Sequence, residues 1–477
     1  MKLLRLFFLF SFFSVISWTT YSPESLYQNL SAHINYLASN ELKGRFPLTQ
    51  GDFLAREYII STFKNIGLSD ITHHHFQQEF DYLHKIEPHC QFQIATKTQT
   101  SLLKRGTDYT ILHTSGNGSF THAKAVLIGY DNKIDTSKIK NIIKGKVVLA
   151  YSFPPKSIDK KIRKEYDWRN VIKLSEKYGA KAVLFVAPGK KYEKFKLLEK
   201  KYPYSQRIKR YKIPLLNISR KIYERILTSN NLKLSHVENE IKQKEGKYWK
   251  CLTQTDFNLF INSKFVYGKA ANLIGALEST SPKNNDFILI GAHYDHLLPK
   301  KRNGCQDSIR NGADDNASGV ALLLEIARSL STMKERKINF LFVCFGAEES
   351  GMIGSKFFVK NPPINLQNLK LMINLDMVGR MRQNKLYIKD YNMKNEYSGR
   401  FFRLSAKNGI ELSENRSGGT DSDTFWRKNI PAIWISTGPH NDQHMVTDEI
   451  DKINFHGLIK IHHLILEFLN SLPENIN

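Results

Sequence analysis

The chain has 477 residues, 41% of them hydrophobic, which is long for one ordinary domain and too apolar for a disordered polymer. Its 70 Lys and Arg against 45 Asp and Glu give a net charge of +25. That excess raises the question of a polyanionic partner, but no nucleic-acid-binding motif accompanies it, so nucleic acid is set aside.

At the start, Lys2 and Arg5 flank an almost wholly apolar run over residues 6–16. This is a secretory signal pattern, assigned to residues 1–20, and it is shorter than the roughly 20 apolar residues of a membrane span. The protein is therefore expected to be exported, periplasmic or secreted. The lack of a small-x-small cleavage site around residues 17–21 leaves an uncleaved anchor as the alternative.

Next, residues 27–37 and 52–66 carry apolar side chains at helical spacing, as with Tyr58, Ile59 and Phe63. Gly44-Arg45-Phe46-Pro47 breaks the pattern between them. Residues 91–262 have their own rhythm, with a strand-like run at 146–150, a helical stretch to Tyr178 and further strand-like runs at 179–186 and 213–218, and read as a mostly β insertion. Lys190, Lys191, Lys194, Lys196, Lys200, Lys201, Arg207, Lys209, Arg210 and Lys212 hold much of the cationic excess. One reading of them is a solvated face, the other a weak attraction to anionic envelope surfaces.

The four cysteines are too few for a disulfide scaffold. Cys344 lies in an apolar strand and is expected to be a buried thiol. Cys90 and Cys251 fall near the two ends of the insertion, where an oxidising compartment would allow them to pair across its base.

Short, nearly continuous apolar runs at 287–290, 338–345, 371–375 and 432–436 fit strands buried on both faces. Between the first two, Val320, Leu323, Leu324 and Ala327 mark one helical face, with Asn316 or Ser318 as its cap. Strand alternating with helix predicts an α/β fold with a mixed, largely parallel sheet flanked by helices, formed by residues 21–90 and 263–477.

The residues with chemical potential all follow those strands: His293 and Asp295, Glu348 and Glu349, Asp376, and His444, with Asp314-Asp315-Asn316 before the helix. Taken singly, each is an ordinary structural residue. Together they supply imidazole and carboxylate donors suited to zinc at the edge where open α/β sheets place their sites. Adjacent Glu348 and Glu349 strengthen the case, because buried like charges cost several kcal/mol without a cation or protonation.

The segments 291–296 (GAHYDH), 311–319 (NGADDNASG), 345–351 (FGAEESG) and 374–377 (NLDM), with His444 followed by Asp448, resemble the co-catalytic dizinc aminopeptidases of peptidase family M28. That family also includes glutamate carboxypeptidase and the transferrin receptor. Leu42-Lys43-Gly44-Arg45 and Ile430-Pro431-Ala432 extend the likeness. Residues 91–262 resemble a protease-associated domain, through Lys144-Gly145-Lys146-Val147-Val148 and Tyr178-Gly179-Ala180-Lys181-Ala182.

The resemblance implies two Zn2+ ions, one held by His293 and Asp376, the other by Glu349 and His444, with Asp315 bridging. It makes Glu348 the general base on the water between them. Asp295 would orient the His293 imidazole through its carboxylate, as commonly supports zinc-bound histidine. Where the family commonly has an oxyanion-stabilising tyrosine, this chain has Gln443, whose amide can donate a hydrogen bond. His440 competes with His444 for the metal role; the spacing to Asp448 and to residues 450–453 favours His444. Asp421 or Asp423 would meet the substrate's free amine.

The implied activity is aminopeptidase action on peptides, with no obligate protein partner. The alternatives are a glutamate-carboxypeptidase-like exopeptidase and a non-catalytic, receptor-like homologue.

Overall fold

The computed structural model describes residues 22–130, 136–154, 160, 164, 166–186, 210–281, 284–300, 308–391, 395–414 and 419–473. The signal segment, Cys305 and all of the lysine-rich stretch except Arg210 and Lys212 lie outside these residues. Two compact units emerge, one from residues 1–82 and 269–477, the other from 83–268.

In the first unit, strands Phe287–His293, Asn339–Phe345, Leu369–Leu375 and Ala432–Ser436 form a parallel core. Asn339–Phe345 and Leu369–Leu375 flank Phe287–His293, and Ala432–Ser436 pairs with Leu369–Leu375. Antiparallel neighbours close both sides: residues 273–277 beside Asn339–Phe345, and Lys385–Tyr391 beside Ala432–Ser436.

The strands are mostly apolar because successive residues enter different layers. Ile288, Ile290, Phe340, Phe342 and Cys344 pack into a large core with helices Pro23–Leu37, Gln50–Ile66, Gly319–Ser331 and Phe455–Asn470. Leu289, Leu341, Val343 and Phe345 join Phe358 and Phe425 on the opposite face. Each such buried side chain contributes roughly 1.5–3 kcal/mol relative to exposure.

The helix Gly319–Ser331 departs from the single apolar face read in its sequence, since every residue from Gly319 to Ala327 is buried. Helices Pro23–Leu37 and Phe455–Asn470 both pack against it, so even Glu325 is enclosed. Its carboxylate accepts from Asn29 Nδ2 at 3.0 Å and Arg328 Nε at 2.9 Å, and lies 3.2 Å from His33 Nε2.

His462, on Phe455–Asn470, makes this packing acid-sensitive. Burial, with His463 adding repulsion, pushes its pKa down from 6.5 to about 4. The neutral imidazole lies 3.0 Å from Ser329 Oγ and 3.3 Å from the Glu325 carbonyl. Because the folded pKa is depressed, the unfolded chain binds the proton first. The stability is therefore present above pH 6.5 and is lost as pH falls towards 4. At about pH 5 the loss amounts to about 2 kcal/mol. Urea unfolding at about pH 7 and about pH 5 should show this acid loss in the parent and a correspondingly smaller one in His462→Gln.

In the second unit, strands Gly118–Ile128, Val147–Tyr151, Ala182–Val186 and Leu215–Ile218 run parallel in that order. Helices Trp168–Lys177, Arg220–Ser229 and Leu234–Gln243 accompany them, the first of them ending at Tyr178 as its sequence predicts. Cys90 packs against its core and Cys251 is exposed; no disulfide joins them, contrary to the pairing that their positions invited. Cys344, in the first unit, is a buried thiol.

Candidate metal centre

The parallel strands deliver their ligands to one edge of the sheet. Phe345 is level with His293, Asn374 with Gly291, and Leu375 with Ile435. His293 therefore ends its strand beside the loop carrying Glu348 and Glu349 on one side and Asp376 on the other. Asp315 arrives from the kinked segment Ala313–Ser318 preceding helix Gly319–Ser331. Its neighbour Asn316 locks that segment in place, accepting from Gly319 N at 3.0 Å and donating to the Leu375 carbonyl at 2.9 Å. Asn316 thus provides the cap, while the Ser318 hydroxyl turns back to the Asp314 carbonyl at 2.8 Å.

Asp315 is the centre of the arrangement. One of its oxygens lies 3.3 Å from His293 Nε2, and the other lies 3.1 Å from His444 Nε2. His293 Nε2 is also 3.4 Å from Asp376 Oδ1, and His444 Nε2 is 3.5 Å from Glu349 Oε1. His293, Asp315 and Asp376 form one set of mutually close ligand atoms. A second set contains Asp315 and Glu349 together with His296, which the sequence reading had given no role. Its signal was present, as the last residue of the run 293–296, but a sequence does not show where a side chain points.

The other predicted residues fall around this core in specific ways. His293 Nδ1 is held by the Asp295 backbone carbonyl at 3.1 Å, not by the Asp295 carboxylate. That carboxylate instead accepts from the Glu348 backbone N–H at 2.9 Å, so Asp295 fixes the imidazole and the Glu348 loop at once. His440 pairs with Asp314 at 3.0 Å, away from Asp315. Asp448 accepts the N–H groups of Asp314 and Asp315 at 3.1 Å each, which places it in support of the bridging residue.

Gln443 occupies the loop just before His444 and is partly exposed. Asp421 is fully buried, at the start of the short helix Ser422–Trp426. Asp423 faces Lys389 at 3.9 Å.

Two further features mark the site. Arg45 is wholly buried and donates Nε to the Tyr294 carbonyl at 2.8 Å, Nη1 to the Asn311 carbonyl at 2.7 Å and to the Leu37 carbonyl, and Nη2 to the Gly312 carbonyl at 3.2 Å. It ties the His293 strand end to the segment leading into Asp315. Ala347, Met377 and His444, each at or beside a ligand or Glu348, have φ of 58°, 59° and 59°. Left-handed non-glycine backbone costs about 1–3 kcal/mol per residue and gathers at functional sites.

Electrostatics tell the same story. Burial pushes the Asp315 carboxyl up, but hydrogen bonds from His293 and His444 win and hold it well below the usual range. Burial raises Glu348 well above its ordinary value and Asp295 to about 8. Glu349 Oε1 and both ring nitrogens of His296 are enclosed without a hydrogen-bond partner, each an unmet polar group costing about 1–3 kcal/mol. A cation among them removes that cost. The donors are imidazole nitrogen and carboxylate oxygen, the set that zinc accepts, so the residues fit zinc.

Residues 272–469 match the sequence profile of Peptidase family M28. The aminopeptidase YwaD of Bacillus subtilis (strain 168) is 29% identical over 225 residues, covering 45% of this chain and 46% of its own. An aminopeptidase of Pseudomonas aeruginosa is 27% identical over 136 residues, covering 28% of this chain and 23% of its own. The chain thus aligns with about half or less of the length of these relatives.

Among solved structures, the aminopeptidase from Aneurinibacillus sp. strain AM-1 superposes with a TM-score of 0.56, at 20% identity over 93% of both chains. The Bacillus subtilis zinc aminopeptidase BSAP gives 0.53 at 19% identity, over 93% of this chain and 94% of its own. At such identities these two likenesses establish the fold.

Proposed function

Because this chain belongs to peptidase family M28 through its residues 272–469, we propose that it is an exported, zinc-dependent aminopeptidase releasing N-terminal residues from peptides. The observation that carries this reading is Asp315, whose two oxygens serve two separate groups of ligand atoms. In this reading His293 and Asp376 hold one zinc, Glu349 and His444 the other, and Asp315 spans both. Zinc, when bound, polarises the peptide carbonyl and supplies a nucleophile at neutral pH.

The chain's own residues do the rest. Glu348, its proton affinity raised by burial, takes the proton from attacking water and passes it to the departing amine. Asp295 holds the Glu348 backbone so that this carboxylate and the His293 imidazole keep a fixed relation. Gln443 offers an amide N–H to the oxyanion where a tyrosine hydroxyl is usual. The carboxylates Glu348, Glu349 and Asp376 give the free amine of a peptide its electrostatic partner.

Residues 83–268 make the inserted unit. Its protease-associated reading rests on the motifs at 144–148 and 178–182, which open two paired parallel strands with Val147 level with Ala182. Among the described residues, no helix is long and apolar enough to cross a membrane.

The purified protein should carry two zinc ions per chain and hydrolyse aminoacyl anilides. Chelation should abolish this activity and added zinc should restore it. A preference for releasing C-terminal glutamate would move the reading to a carboxypeptidase. Less than one zinc per chain without chelator-sensitive hydrolysis would leave a non-catalytic homologue.

A further inference from the structure

We propose that His296 is itself a metal ligand, so that the site containing Glu349 and Asp315 takes two imidazoles, His296 and His444. This inference rests on the two-zinc reading above and extends it to a residue outside the ligand set that the resemblance implies.

Three observations carry it. The His296 side chain has no solvent exposure, yet neither ring nitrogen has a hydrogen-bond partner. Its Nδ1 lies 2.8 Å from Glu349 Oε1, another enclosed atom without a hydrogen-bond partner. Close approach without hydrogen-bond alignment is what two ligands of one ion show, because both aim at the ion and not at each other. Finally, one ligand atom each from His296, Asp315 and Glu349 lies within 4.8 Å of the other two.

The surroundings are shaped for this ring. Gly312 has φ of 59°, and a Cβ there would stand 2.6 Å from His296 Cδ2 and 2.1 Å from the Asp315 carbonyl. The absence of a side chain at residue 312 therefore admits both the imidazole and the turn that presents Asp315. His444 stands nearby, its ring centroid 5.9 Å from that of His296. Its side chain is 48% exposed, so His296 is the enclosed imidazole of the pair.

A competing role for His296 is as a hydrogen-bonding support of Glu349, and the size of the effect separates the two. Loss of a supporting partner weakens metal binding by about 10–100-fold. Loss of a ligand should exceed about 100-fold for one ion and spare the other.

The test uses the full-length protein, with zinc competition against a chelator and cobalt(II) absorption. His296→Gln retains polarity and near-native shape but not the imidazole; it should bind one zinc normally and the second more than about 100-fold more weakly. His296→Cys loaded with cobalt should show thiolate-to-metal charge-transfer absorption that the parent lacks, a signal that requires direct contact. Two zinc ions of parental affinity in a folded His296→Gln protein would overturn the proposal and leave the two-zinc reading intact. So would a two-cobalt His296→Cys protein without the charge-transfer band. A parent protein holding fewer than two zinc ions would overturn the two-zinc reading, and this proposal with it.

Discussion

Glu348→Gln is expected to lower kcat for aminoacyl anilides by about 10^3-fold, within the 10^2–10^4-fold range of general acid–base catalysis. KM and zinc content should stay close to those of the parent. The reason is a division of labour between two adjacent glutamates. Glu349 Oε1 lies 3.5 Å from His444 and 2.8 Å from His296, among the candidate ligands. Among the described residues no ion pair joins Glu348 to an imidazole, and His293 acts on it only through the field of its charge. Its carboxyl is raised chiefly by burial, against the opposing pull of His293, with Asp421, Glu349 and Asp376 adding repulsion.

A carboxyl whose proton affinity burial raises is matched to moving protons, whereas one set among imidazoles is matched to holding metal. Glu349→Gln should accordingly lose zinc, and Glu348→Gln should not. Glu348→Asp should recover part of the rate, because the acid is kept and only its reach is shortened. A Glu348→Gln enzyme with full zinc and undiminished turnover would remove Glu348 from the chemistry.

Much of this was legible before any coordinates, for physical reasons. Strands covered on both faces cannot alternate polar and apolar residues, so 338–345 and 371–375 announce themselves as nearly continuous apolar runs, broken only by Asn339 and Asn374. Ligands that sit at carboxyl ends of parallel strands are found by reading one to four residues beyond three of the runs and eight beyond 432–436. Side-chain direction and backbone contacts were not legible. His296 stood in view within GAHYDH, but only the fold shows its ring enclosed against Glu349. Asp295 was expected to act on His293 through its carboxylate, yet its carbonyl does so. Carbonyls are common to all residues and leave no sequence signature.

Arg45 is the strongest case of a hidden role, and its replacement should cost the most stability. Arg45→Met keeps much of the volume but leaves the carbonyls of Leu37, Tyr294, Asn311 and Gly312 without this donor. At about 1–3 kcal/mol per unmet buried acceptor, partly relieved by relaxation, the expected loss is about 4 kcal/mol in urea unfolding. Arg45→Lys should recover less than half, since one ammonium cannot reproduce a planar fork with five donors.

Zinc affinity then distinguishes two roles that stability alone would merge. Burial lowers the guanidinium pKa to about 10, so it is charged at neutral pH, in the field of Asp295, Asp315, Asp448 and Glu349. If that charge were its whole contribution, removing it would leave the carboxylates less neutralised and tighten zinc binding. But every hydrogen bond found for Arg45 is to a backbone carbonyl: one between His293 and Asp295, two leading into Asp315, and one at the end of helix Pro23–Leu37. Such contacts set distances between ligand-bearing segments, and their loss should loosen them. A folded Arg45→Met protein should therefore bind zinc more weakly than the parent. Tighter binding would show that charge compensation, not anchoring, is what this residue supplies.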